Sequence, residues 1–200
     1  MLESSIRLIA LVSVALAVGF VPAGCGGRKV AVVNPDTSIH LSGRWNDDDS
    51  KTVSSQMIDQ CLRDTWVTQF RDRAGRAPIV RVATVVNKSN EEIATQIFTD
   101  DLTRALQNSG KVRVVASRDE AEISREERAD LQAHSSEESR PQSKQEQAPD
   151  YLLTGAIRIQ HDREGDNQVK YYQVDLRLLD VSTNEVAWPG SVERKKIVSN

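Results

Sequence analysis

Two cysteines and three histidines are all that the 200-residue chain offers in soft or imidazole ligands. Two thiols cannot build the multi-bridge framework of a small disulfide-rich domain. His40, His134 and His161 lie in separate segments without the spacing of a metal site. Aromatics are sparse, with three each of Trp, Tyr and Phe, so the core has to be largely aliphatic. Neither sign of charge dominates: 26 bases meet 29 acids for a net charge of −3. That balance excludes a surface that works by neutralising phosphates, and with it a nucleic-acid partner. No Gly-rich phosphate loop and no nucleophile motif is present, so no cofactor is implied. Apolar residues make up 38%, below the roughly 45–50% of an average domain, which leaves part of the chain without a core to join. The length suits one domain of about 150 residues with a tail.

The longest apolar run, residues 8–21, is 14 residues long, short of the ~20 needed to cross a bilayer. It follows Arg7 and suits a secretory hydrophobic region. Its end, Ala23-Gly24-Cys25, resembles a bacterial lipoprotein signal. That resemblance implies a signal peptide over 1–24, cleavage before Cys25, lipid on its sulfur and a membrane held through that lipid. Gly26 in place of Asp implies sorting to the periplasmic face of the outer membrane. Residues 25–40 read as a short tether, at about 3.4 Å per residue reaching on the order of 50 Å. Cys61, beside Met57, Ile58 and Leu62, reads as a small buried hydrophobe with no base near it in sequence.

Asp47-Asp48-Asp49-Ser50 read as an acidic helix start, with Asp49 or Ser50 as cap. Three consecutive Asp lack the alternating carboxylates of a calcium loop. Val53, Met57, Cys61, Ile58, Leu62, Trp66 and Phe70 continue one long helical pattern to Gly75 and Pro78. Residues 79–86 have the composition of a strand covered on both faces. Ser89, Asn90 and Glu92 open a second helix with a stripe of Ile93, Ile97, Leu102, Ala105 and Leu106, ending at Asn108-Ser109-Gly110. Lys111–Ala116 is a second short strand. Residues 117–147 carry nine acids against five bases. They read as a frayed helix to about Ala133 and a mobile charged segment over 134–147. The last fifty residues read as an antiparallel meander over Tyr151–Gln160, Val169–Val181 and Val186–Val198. In its middle strand Tyr172, Val174, Leu176 and Leu178 face inward, and Tyr171, Gln173, Asp175 and Arg177 face water. The fold class is α+β, a mixed β-sheet with helices packed on one face.

Several stretches are similar to the LpoB family of outer-membrane lipoproteins, activators of bifunctional penicillin-binding proteins. They are Leu41-Ser42-Gly43-Arg44-Trp45-Asn46-Asp47, Met57–Leu62, Asn87-Lys88-Ser89, Asn108–Val115, Arg125–Asp130 and Tyr151-Leu152-Leu153-Thr154-Gly155, with Trp188 and Gly190 near the end. The resemblance covers a domain over 41–200. It implies a fold like the N-terminal domain of TolB, a non-catalytic role in peptidoglycan synthesis, and docking on a bifunctional penicillin-binding protein. Family members carry a long linker, whereas fifteen residues, 26–40, stand here. Trp45, Trp66 and Trp188 are candidates either for interface anchors or for the core and its rim. Two other readings stay open: a structural or assembly lipoprotein with another envelope partner, and a glycan hydrolase using two carboxylates.

Overall fold

A computed structural model describes residues 31–34, 37–39, 42–140, 145–164 and 167–198. The signal peptide, Cys25, His40, Leu41, and Gly165 with Asp166 in the expected turn lie outside them. The chain divides into two units, Met1–Thr37 and Ser38–Asn200. In the first, the described residues form no regular element, and the Thr37 N–H donates to the Asn34 carbonyl at 2.9 Å.

The second unit runs α1 (Asp47–Arg63), α2 (Trp66–Ala74), β1 (Ile79–Val82), β2 (Val86–Asn87), α3 (Thr95–Asn108), β3 (Arg113–Val115), α4 (Arg118–His134), β4 (Tyr151–Glu164), β5 (Asn167–Asp180) and β6 (Val186–Val198). Its six-stranded sheet has the order β3-β1-β4-β5-β6, with β2 also paired to β4. β1 is parallel to both β3 and β4, while β4, β5 and β6 form the antiparallel meander. The fold is α+β with a mixed sheet. Its covered face carries Val80, Leu153, Ile157, Tyr172, Val174, Leu176 and Leu178, packed against Val53, Met57, Ile58 and Cys61 of α1 and Phe98, Leu102 and Leu106 of α3. The period-two alternation of β5 therefore holds along its length.

Three expectations change. The single long helix is two, because Asp64 takes an extended conformation and its carboxylate accepts the Thr65 N–H at 2.6 Å. The break turns Trp66 inward, where its indole N–H donates to the Cys61 carbonyl at 2.8 Å and its ring meets Tyr151 edge-on at 4.9 Å. The strand expected over 79–86 is interrupted after Val82. The Val85 N–H goes instead to the Thr99 hydroxyl (3.1 Å), and Val86 is 52% exposed rather than covered. The next helix begins at Thr95, since Asn87 and Ser89 close a turn of their own: the Ser89 N–H donates to Asn87 Oδ1 at 2.9 Å.

The cap of the first helix also differs. α1 is capped by Asn46, with Asp49 closing the reciprocal box. α4 is a 17-residue helix ending one residue beyond the expected Ala133, and Ala121 is its only buried residue. Ser117 and Glu120 form a capping box at its start, and Arg125 bonds Glu122 at 2.8 Å three residues away. Replacing Ser117 with Ala is expected to cost about 1 kcal/mol of α4 stability. Hydrogen exchange would show this as faster exchange confined to the α4 amides, with the amides of α1 and α3 unchanged.

Candidate docking surface

The chain enters the domain through a buried polar clasp. Gly43 adopts φ +61 beneath Val198, and its carbonyl accepts the Tyr172 hydroxyl at 3.3 Å. Trp45 wedges between Phe98 (6.0 Å) and Tyr172 (5.5 Å), and its indole N–H donates to Ser50 Oγ at 2.8 Å. Asp49, fully buried, pairs with Lys196 through Oδ2, with Arg194 Nε 3.6 Å from Oδ1. Lys196 also donates to the Arg44 carbonyl at 2.8 Å. Beside this, Glu91 pairs with Lys170 at 2.8 Å and accepts the Tyr172 hydroxyl at 2.7 Å.

Burial alone would raise the Glu91 carboxyl. Hydrogen bonds from Lys170 and Tyr172, and the charge of Lys170, outweigh it and hold Glu91 below the ordinary carboxylate range. Tyr172 is pushed up by burial and by the neighbouring Glu91. Burial likewise works against Asp150, but Arg76 (2.7 and 2.8 Å) and the Ile79 N–H (2.8 Å) lower it. A carboxylate whose folded-state value is depressed stabilises above its unfolded value and loses that contribution as pH falls through the folded one. Stability is therefore expected to hold near neutral pH and to fall once the pH drops below about 4.5, the ordinary Glu value. Thermal melts across pH would check this, and Glu91→Gln should flatten the acid limb.

Opposite α1 and α3, the face of β4, β5 and β6 is open. Asp175 is its hub: it pairs with Arg158 and accepts from Gln173 Nε2 (2.9 Å) and Ser191 Oγ (2.9 Å). The register makes this possible, since Asp175 lies across from Ala156 on one side and Ser191 on the other. The hub borders a hollow of ≈ 590 Å³ whose wall includes Val86, Lys88, Arg158, Arg177 and Pro189. Arg158 is neutralised by Asp175, whereas the Lys88 and Arg177 side chains are exposed and have no ion-pair partner among the described residues. The charged side chains of the hollow are thus Lys88, Arg158 and Arg177 against Asp175, an excess of positive charge.

The sequence candidates lie elsewhere. Trp66 and Trp188 are buried, and Trp45 packs against the core, so all three serve the core and its rim. Trp188 lies over Gly190, where a Cβ would strike its ring. Cys61 is buried and its thiol is pushed up to about 12, by desolvation first, which keeps it protonated at neutral pH. His134 pairs with Asp130 at 3.0 Å, and His161 contacts Asn90 (3.1 Å) and Gln168 (3.2 Å). Among the described residues no three His, Cys, Asp or Glu stand close enough to hold a metal ion. Sequence reading placed Asp175 and Arg177 on the wet face but missed Arg158, Lys88 and Val86. The signal for Arg158 was the phase of β4 relative to β5, and for Val86 and Lys88 the pairing of β2 with β4, both of which only the register supplies.

The model of the family described as peptidoglycan-synthase activator LpoB matches residues 49–193. No curated protein matches the chain. Among solved structures, the LpoB C-terminal domain from Escherichia coli is 16% identical, with 74% of this chain and 99% of that one covered and a TM-score of 0.37. The corresponding domain from Salmonella enterica is 18% identical, with 66% and 93% covered and a TM-score of 0.34. Lipoprotein GNA1162 from Neisseria meningitidis is 16% identical, with 62% and 87% covered and a TM-score of 0.38.

Proposed function

Because the chain belongs to the LpoB family of peptidoglycan-synthase activators, we propose that it is an envelope lipoprotein that binds and activates a bifunctional penicillin-binding protein. The observation that carries this reading is the family match, which spans the folded unit from α1 into β6. The domain acts by surface complementarity: contacts that favour the synthase's active arrangement raise its population, and the domain itself makes and breaks no bond. The open face of β4, β5 and β6 is the surface assigned to docking, since α1 and α3 cover the other. The chain is anchored through lipid on Cys25 to the periplasmic face of the outer membrane, with residues 25–40 as its tether.

Two experiments test this. Mass spectrometry of the mature amino terminus is expected to find acylated Cys25, and Cys25→Ser should move the protein to the soluble envelope fraction. Unmodified Cys25 still joined to Gly24 would overturn the anchor. For docking, Arg177→Glu together with Lys88→Glu is expected to weaken activation of the synthase at least tenfold through like-charge or lost contacts. Circular dichroism checks that the fold is kept. Unchanged activation by a folded double variant would move the docking site off this face.

A further inference from the structure

α4 presents a second surface, complementary to the hollow. Its inward side bears Ala121, Arg125 and Arg128, and both arginines turn onto Glu146: Arg125 through two bonds of 3.0 and 2.9 Å, Arg128 at 3.4 Å. Spacings of three and four place Asp119, Glu122, Glu126 and Asp130 on the opposite side, around Ile123. Ile123 is 66% exposed, and Asp119 and Glu126 have no ion-pair partner among the described residues. The helix therefore shows water an apolar residue ringed by acids. The hollow shows Val86 and Pro189 beside the unpaired Lys88 and Arg177, with the Arg158–Asp175 pair in the same wall.

We propose that the outer side of α4 from one copy of this chain seats in the cationic hollow of another. Ile123 then meets Val86 and Pro189, while Glu126 and its neighbours meet Lys88 and Arg177. The two patches are different surfaces of one molecule, so the contact is heterologous. A copy held in this way has its hollow covered, and self-association competes with any partner that uses that face. This last consequence rests on the docking reading above; the association itself does not.

Analytical ultracentrifugation of the full chain in detergent, with no synthase present, tests the association alone. The wild type is expected to self-associate with concentration, and to do so about tenfold or more weakly when salt shortens the Debye length from about 10 Å at 0.1 M to about 3 Å at 1 M. Glu126→Lys alone and Arg177→Glu alone should each remain monomeric, and a mixture of the two should associate, because each supplies the surface the other lacks. Lys88→Glu replaces Arg177→Glu if the latter fails to fold. A wild type that stays monomeric throughout overturns the proposal. So does association that either variant leaves intact, or a mixture that stays monomeric when the wild type associates.

Discussion

Lys170→Met is expected to destabilise the domain by about 3–5 kcal/mol, the usual cost of removing one member of a buried ion pair. Both side chains of the Lys170–Glu91 pair are nearly inaccessible, at 8% and 10% exposure. Removing the ammonium leaves a carboxylate facing the Tyr172 hydroxyl with its other oxygen unpaired and water excluded. Against a total of about 5–15 kcal/mol for a domain, that loss would leave it marginal. The double variant Lys170→Met with Glu91→Gln should recover much of it, because an amide can share the cavity without a buried charge. Urea unfolding of the three proteins makes the comparison. A single-variant loss under about 1 kcal/mol, the range of exposed pairs, would mean that this pair is solvated.

Gly155→Val is expected to be comparably severe, for a steric reason. Gly155 of β4 lies across from Leu176 of β5, and a Cβ there would fall on the Asp175 carbonyl oxygen and within 2.5 Å of Leu176 Cδ2. Side chains can rotate away from such contact, but a paired strand's carbonyl cannot. The cost should therefore reach or exceed the upper end of the 1–3 kcal/mol typical of overpacking. Because the displaced strand segment carries Asp175, the variant should also disturb the Arg158–Asp175–Ser191 hub on the open face. Gly155→Ala should show the same defect in smaller measure. Denaturation midpoints give the order expected, wild type above Ala above Val, and equal midpoints would show that the strands separate freely here.

What the sequence made legible was set by periodicity. β5 alternates without interruption, so its inward residues and its wet residues were both readable, and the α1 stripe of Val53, Met57 and Cys61 proved to be core. Local competition hid the rest. At Asp64, Ser117 and Asn87, short polar side chains bond the nearby backbone and decide where helices stop and start. Hydrophobic spacing carries no trace of those bonds. The candidate site was less legible still. Asp175 and Arg158 are 17 residues apart in sequence and meet only through the strand register. The clasp that fixes chain entry joins Asp49 to Lys196 across 147 positions. Asp49 reads from the sequence as a cap in an acidic first turn, and it is the acid of the three that is buried.

The role proposed for this chain is to raise a synthase's output by binding it. The most direct measurement is the rate of glycan-strand polymerisation by a purified bifunctional penicillin-binding protein of the same envelope, with and without equimolar full chain. A rate increase that saturates with added chain, together with no product when the chain is incubated with substrate alone, is the result expected. An unchanged rate with every such synthase of that envelope, or turnover of glycan by the chain itself, would contradict it.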